Sequence, residues 1–389
     1  MSIEFLLTTE QRHVRNEARK LARSFDYDYW YERDTTAKYP WEFVQRFAAA
    51  GWLGIIVPEE YGGGGGTITD AALMLNEVAA SGAGATGASA LHFYVFPAMP
   101  IVRHGSEEMK QRVLPLVAKG ELLMAFGVTE PNAGIDTSRI RTRAEKVGNK
   151  WVITGQKVWT TNAQNASHIL ILARTSPRDE SRPMDGMTLF FVPLDREKCR
   201  IREIPKMGRA AIDSNEVFID GLEAADHDVV GEVGSGFRYL LDGLNPERIV
   251  TAMEGIGIGR AALELAVRYA KERVVFDRPI GQNQAIAHPL AQSWVELEGA
   301  ELAALRAAWL YDNGQPCGAE ANAAKFLSGA AGSRATDAAL QTHGGFGYSK
   351  EYHVERLMRE AQIFKITPIT QQMVLNYVSA KVLGLPRSY

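Results

Sequence analysis

Hydrophobic and polar positions repeat at helical spacing through the first third of the chain, at strand spacing through the middle, and at helical spacing again to the end. From Thr8, residues Val14, Ala18, Leu21, Ala22 and Phe25 fall on one helical face, and Thr8 with Gln11 forms a capping box. A second helix is predicted from Pro40 through Phe47 and the following alanines, ending at Gly51. Pro58-Glu-Glu-Tyr-Gly62 reads as irregular chain, and glycines occupy every position from Gly62 to Gly66. No Lys-Ser/Thr pair follows this run and no strand precedes it, which favours a flexible turn over a phosphate loop. A helix is predicted from Asp70 to Ala80. Leu91 to Val102 is apolar and aromatic but interrupted by Pro97 and Pro100, as at a buried helix end or a pocket wall. A further helix from Ser106 to Lys119 closes the region at Gly120.

The middle of the chain alternates instead. Met124, Phe126 and Val128 have strand spacing, and Pro131 ends the run because proline has no N–H for a ladder. Arg143–Val147 and Lys150–Thr154 flank Gly148-Asn149, a two-residue hairpin signal. Further strands are predicted over Ile169–Ala173, Leu189–Val192 and Glu216–Ile219, with Ser176–Asp185 as an exposed polar loop. Beyond Gly236 the helical period returns over Tyr239–Arg273, Ala285–Tyr311, Ala319–Thr342 and Glu351–Ile366, the last continuing into Gln371–Leu383. Asp312 to Pro316 is a turn. The expected class is α+β, with segregated domains at 1–122 (helical), 123–230 (a small β-barrel or sandwich) and 231–389 (a helical bundle).

Composition narrows the functions. Of 389 residues, 46% are hydrophobic and 23% charged, as in a globular protein with a large core. The formal net charge of −3, without basic runs interleaved with aromatics, argues against nucleic acid or anionic lipid as a partner. Two distant cysteines, Cys199 and Cys317, indicate neither a disulfide framework nor a zinc site, and no histidine cluster suggests a metal. No signal segment is visible and no apolar run has the length of a membrane span, so a cytoplasmic location is expected. Gly255-Ile-Gly-Ile-Gly259 lacks dinucleotide spacing and sits in a helical block, where close helix packing is the expected cause. His343-Gly-Gly has no GxSxG elbow to accompany it, which excludes a hydrolase reading.

Two neighbouring segments carry the chemistry. Thr129-Glu-Pro-Asn132-Ala-Gly134-Ile135-Asp136 leads a strand into a polar loop with backbone N–H groups available to an anion or ring edge. Gly155-Gln-Lys-Val-Trp159-Thr-Thr161 then sets a flat aromatic beside two hydroxyls. In this order the pair resembles the flavin-binding β-domain of the acyl-CoA dehydrogenases. The resemblance extends over the C-terminal helices, around Arg273, Phe276 and Gln284 and from Gln341 to Glu360. It implies noncovalent FAD, a four-helix C-terminal bundle, an acyl-CoA substrate, an electron-transfer flavoprotein or similar acceptor, and a homotetramer with flavin at subunit interfaces. Phe126, Val128, Thr129, Trp159 and Thr161 match positions facing the isoalloxazine and ribityl groups, and Gly134, Ile135, Thr370 and Gln372 match further cofactor positions. Arg273, Phe276, Gln284, Gln341, Gly344 and Gly345 match positions that reach a neighbouring subunit's flavin. Ile135 stands where the family often has serine.

The family's reaction removes the α-proton of an acyl thioester with a glutamate while hydride leaves the β-carbon. Many relatives carry that base in a Tyr-Glu-Gly-Thr motif after an arginine like Arg359. Here the chain reads Arg359-Glu-Ala-Gln-Ile-Phe-Lys-Ile-Thr-Pro368-Ile-Thr370, so the glutamate is absent. A subgroup including isovaleryl-type enzymes places its base on an earlier helix in an LxxER pattern, which Leu244-Asn-Pro-Glu247-Arg248 matches. Glu247 is therefore the candidate base, with Arg248, Asn245 and Thr367 as candidate substrate contacts. Read alone, Glu247 would be an exposed acid in the first turn of a helix, behind Pro246, and Arg248 part of a structural ion pair. Relatives also hold the thioester oxygen with the backbone N–H at the position of Pro368, which proline lacks. Losing such a donor costs ~3 kcal/mol of transition-state stabilisation unless Thr367, Ile369 or a shifted register replaces it. An enoyl-CoA reductase, an acyl-CoA oxidase, a flavin monooxygenase and a non-catalytic flavin- or CoA-binding protein remain as alternatives.

Overall fold

In the computed structural model, which describes residues 4–387, α1 (Thr9–Ala22) starts at the Thr8–Gln11 capping box, with both reciprocal bonds formed. An additional helix, α2 (Tyr27–Thr36), follows, capped by Asp26; its strongly buried side chain is Trp30 alone, so the sequence offers no apolar stripe to mark it. Next come α3 (Trp41–Ala49), α4 (Ile68–Val78), α5 (Gly84–Val95), α6 (Met99–His104) and α7 (Glu107–Ala118). The glycine run is not a flexible turn. Gly64, Gly65 and Gly66 donate to the carbonyls of Gly54, Val57 and Ile55 at 2.9, 2.9 and 2.7 Å. A Cβ on Gly63 would lie 2.4 Å from that of Val57 and one on Gly66 2.8 Å from the Ile55 carbonyl oxygen, so the run is a hydrogen-bonded fold that excludes side chains at those two positions. The helical run 68–104 reaches the length and apolarity of a membrane span, contrary to expectation, but 89% of its most apolar window is buried in the protein.

The middle region is a seven-stranded sheet of β1 (Met124–Gly127), β2 (Arg143–Val147), β3 (Lys150–Thr161), β4 (His168–Arg174), β5 (Met187–Pro193), β6 (Cys199–Glu203) and β7 (Ser214–Ala225). Its order is β1-β4-β2-β3-β7-β6, with β5 paired along β4. The β2–β3 hairpin closes at Gly148-Asn149 with Val147 opposite Lys150, and Gly148 takes φ +62°. β3 runs on through both predicted segments and bulges between Lys157 and Thr160. β6 is polar and edge-placed, which hid it from apolar patterning.

Helices return with α8 (Gly236–Glu272), a two-residue β-pair of β8 (Val274–Val275) and β9 (Arg278–Pro279), α9 (Gln284–Asp312) and α10 (Gly318–His343). The last predicted block is broken into α11 (Val354–Ala361) and α12 (Gln371–Tyr377), joined by irregular chain that includes Pro368. The glycines of α8 do serve close packing: a Cβ on Gly257 would lie 2.3 Å from the Asn76 carbonyl oxygen of α4. α8 thus touches α4, α5, α9, α10 and β5, and spans from the sheet to the helical core.

Candidate active site

Glu247 sits well inside α8, behind a buried Pro246, rather than in a first turn, so its reading as a surface helix-start acid is overturned. Seven residues on, Glu254 projects from the same helical face. It is 4% exposed and lies 2.8 Å from Nδ1 of His92 on α5, itself buried. The His92 and Phe96 rings are 5.7 Å apart, and Phe96 meets Phe126 of β1 edge-on at 4.9 Å. A continuous wall therefore runs from the sheet to the Glu247 face of α8. Beside it Arg209 donates to Ser89 Oγ at 3.0 Å. Burial pushes the Glu247 carboxyl up to about 7, against the pull of His92 and Arg248 and with added repulsion from Glu254. For His92, burial opposes the imidazolium, but Glu254 outweighs it and the net shift is upward. The His92–Glu254 pair escaped the sequence reading; the seven-residue interval between two glutamates was the available signal.

The β1 loop is held from beneath. Lys157 is fully buried and bonds the Val128 carbonyl at 3.1 Å and Glu130 Oε1 at 2.9 Å, while Glu130 accepts from the N–H groups of Arg141 and Thr142 at 2.6 and 2.9 Å. Burial lowers the Lys157 pKa to about 8, against Glu130. Thr129 accepts from Val158 N–H, which ties the loop to β3. Trp159, at φ +59° in the bulge, is turned outward and 57% exposed, while Thr161 is buried. Gly134 and Ile135 lie on the open side of the loop, with nothing within 4 Å of a Cβ on Gly134.

Arg273, Gln341, Gly344 and Gly345 line one cavity of about 650 Å³ together with Tyr269 and His343. Nothing lies within 4 Å of a Cβ on either glycine, and Phe276 projects from the β8–β9 turn almost fully exposed. Gln284 opens α9 at the surface. This cavity is separate from Glu247. The structure brings the first and last groups of expected cofactor residues to two different surfaces of one chain.

Near Pro368, both donors of Thr367 are turned back on the Ile363 carbonyl, with N–H at 2.9 Å and Oγ1 at 3.3 Å. Thr367 is thereby corrected as the donor expected to replace the one lost at Pro368, and Ile369 or a shifted register remains. Thr370 caps α12 through Met373 N–H, which leaves the adjacent Gln372 exposed. Arg248 donates to Asn245 Oδ1 at 2.9 Å and, among the described residues, makes no ion pair. The structural ion-pair reading of Arg248 therefore fails.

Comparison with known proteins agrees with this layout. Residues 8–121 match the model for the acyl-CoA dehydrogenase N-terminal domain, 125–222 the middle domain and 234–383 the C-terminal domain. The chain is 37% identical to acyl-CoA dehydrogenase FadE12 of Mycobacterium tuberculosis, over 99% of each protein. It is 34% identical to a probable acyl-CoA dehydrogenase, YngJ, of Bacillus subtilis, over 98% of this chain and 100% of that protein. The solved structure of butyryl-CoA dehydrogenase from Megasphaera elsdenii superposes with a TM-score of 0.91 at 31% identity, over 97% of this chain and 99% of that one.

Proposed function

The chain belongs to the acyl-CoA dehydrogenase family, and from that premise we propose that Glu247 is the base that removes the α-proton of its acyl-CoA substrate. The family is flavin-dependent, and this chain's residues fit FAD. An outward-facing Trp159, an open loop at Gly134 and Ile135, and a glycine turn at Gly344-Gly345 with room beside it suit a flat ring and its phosphates. Phe126, Val128, Thr129, Trp159 and Thr161 would hold the ring portion; Arg273, Phe276, Gln284, Gln341, Gly344 and Gly345 would reach the flavin of a second subunit, with Gly134, Ile135, Thr370 and Gln372 as further contacts. When bound, FAD supplies the acceptor for hydride from the β-carbon.

The observation that carries the base assignment is the place of Glu247 well inside α8, on the face whose Glu254 pairs with His92, and burial there pushes its carboxyl up to about 7. An α-proton is weakly acidic, so a desolvated carboxylate matches it better than a solvated one. Phe96 and Phe126 keep water from the approach, and His92 with Glu254 fixes the α5–α8 spacing that shapes it. Ile369 N–H has no acceptor among the described residues and is the main-chain donor we assign to the thioester oxygen in place of Pro368. Arg248 and Asn245 would meet the acyl portion.

The finer organisation follows the same reading. Domain boundaries fall at 1–122, 123–230 and 231–389, the assembly is a homotetramer, the acceptor is an electron-transfer flavoprotein or similar protein, and the setting is a reducing cytoplasm compatible with two buried free cysteines. The test is to mix FAD-loaded enzyme anaerobically with a panel of acyl-CoAs and follow flavin absorbance. Bleaching by at least one thioester is expected, with Glu247→Gln slowing it by at least about a hundredfold. Bleaching that survives in Glu247→Gln overturns the assignment of the base.

A further inference from the structure

Lys325 on α10 is fully buried, and its Nζ has no hydrogen-bond partner among the described residues. On the facing helix α8, Arg248 carries a second cation whose Nε is, among the described residues, also buried without a partner, and whose side-chain bond there is to the neutral Asn245. α8 and α10 pack against each other, and Arg248 adds to burial in lowering the Lys325 pKa, to about 8. One turn before Lys325, Asn322 buries an Oδ1 that accepts from nothing. The other groups acting on Arg248 are Glu247, Tyr377 and Cys317, and the Tyr377 hydroxyl lies against Gly318 at the start of α10. Other buried cations have partners: Lys157 has Glu130, Arg15 has Glu77 and Arg356 has Glu360, while Arg174 donates to the carbonyls of Ser138, Pro183 and Asp185. Only here among the described residues does a fully buried lysine lack a partner.

An unpaired buried cation is costly, and such a site is completed by a group that arrives with the opposite charge. Glu247 does not complete it, because it forms no ion pair with either cation and is neutralised each time it takes a substrate proton. We propose that Arg248 and Lys325 form a receptor for a carboxylate carried on the acyl chain, so that the preferred substrates are mono-CoA thioesters of dicarboxylic acids. This rests on the reading of Glu247 as the base, since that residue fixes where the acyl chain lies. Lys325 offers three donors and Arg248 a planar fork, and a carboxylate has two oxygens to accept from both. The phosphates of CoA share this chemistry, so the test holds CoA constant.

Acyl-CoAs of equal carbon number, ending in a carboxylate or in a methyl, are titrated into the FAD-loaded enzyme, with binding read from perturbation of the flavin spectrum and turnover from bleaching. The carboxylate member is expected to bind at least about tenfold more tightly. Lys325→Met should bring the ratio to near one and, by removing an unpaired buried charge, raise the melting temperature of the substrate-free enzyme; Lys325→Gln serves if the methionine variant folds poorly. A wild-type preference for the methyl member overturns the proposal. So does a Lys325→Met variant that weakens both members equally, which would assign the cations to CoA phosphate. The binding ratio is read without turnover, so bleaching that persists in Glu247→Gln would refute the base while leaving the receptor to be judged on its own measurement.

Discussion

A carboxylate that must take a proton is useful only when ionised, and Glu247 is held near neutrality by its surroundings. The rate of flavin bleaching should therefore rise with pH and level off above an apparent pKa near 7, and a flat profile between pH 6 and 8 would contradict the assignment. The same shift fixes a stability effect. The folded-state pKa lies above the ordinary value of 4.5, so between 4.5 and about 7 the folded chain holds a proton that the unfolded chain has released. Stability from this group is thus greatest at low pH and is lost as pH rises to about 7. Glu247→Gln should melt higher than wild type, most clearly above pH 7, by up to about 3 kcal/mol. Differential scanning calorimetry at pH 5 and pH 8 checks it: the gain must be larger at pH 8. Identity at this scale was legible in the sequence through Leu244 to Arg248, because a base and its neighbour are adjacent residues. The partners were not legible. His92 lies 162 residues from Glu254, and nothing local announces that they meet.

At the scale of elements, the β1 loop proposed to face the flavin depends on a buried pair, Lys157 and Glu130. Lys157, inside β3, holds the Val128 carbonyl and Glu130 together, and Glu130 in turn fixes the N–H groups that lead into β2. Lys157→Met removes one partner and leaves a buried carboxylate uncompensated, at a cost of about 3–5 kcal/mol. Equilibrium dialysis should then show weaker FAD retention even at temperatures where the variant stays folded, whereas unchanged retention would mean that the loop holds its shape alone. A second element-level prediction concerns α8. Gly257→Ala forces a methyl against the Asn76 carbonyl and should destabilise by about 1–3 kcal/mol in chemical denaturation. Elements whose ends carry their own chemistry were readable from sequence, as with the Thr8 capping box and the Gly148-Asn149 hairpin. Those defined by contact with the rest of the chain were not. α2 buries little beyond Trp30, and the glycine run from Gly62 acquires its shape from carbonyls between Gly54 and Glu59.

At the scale of the whole molecule, a face of α9 lacks a partner among the described residues. Val295, Leu302 and Trp309 of α9 recur every seventh residue and are all exposed, and Trp294 adds a second aromatic beside the stripe. A seven-residue apolar repeat on a 29-residue helix is the pattern by which helices of separate chains pack, and a monomer rarely leaves such a stripe in water. Arg273, Phe276 and the Gly344-Gly345 turn, proposed to serve another subunit's flavin, are likewise open to the outside. The two observations make one prediction. Light scattering should show an oligomer, and replacing Trp294 and Trp309 together by glutamate should yield smaller species. If subunits complete one another's cofactor sites, those species should lose FAD on gel filtration, while each chain stays folded on its own core and its circular dichroism is unchanged. A variant that dissociates yet keeps its flavin would show that each chain holds the cofactor alone and that Arg273 and Phe276 have some other use.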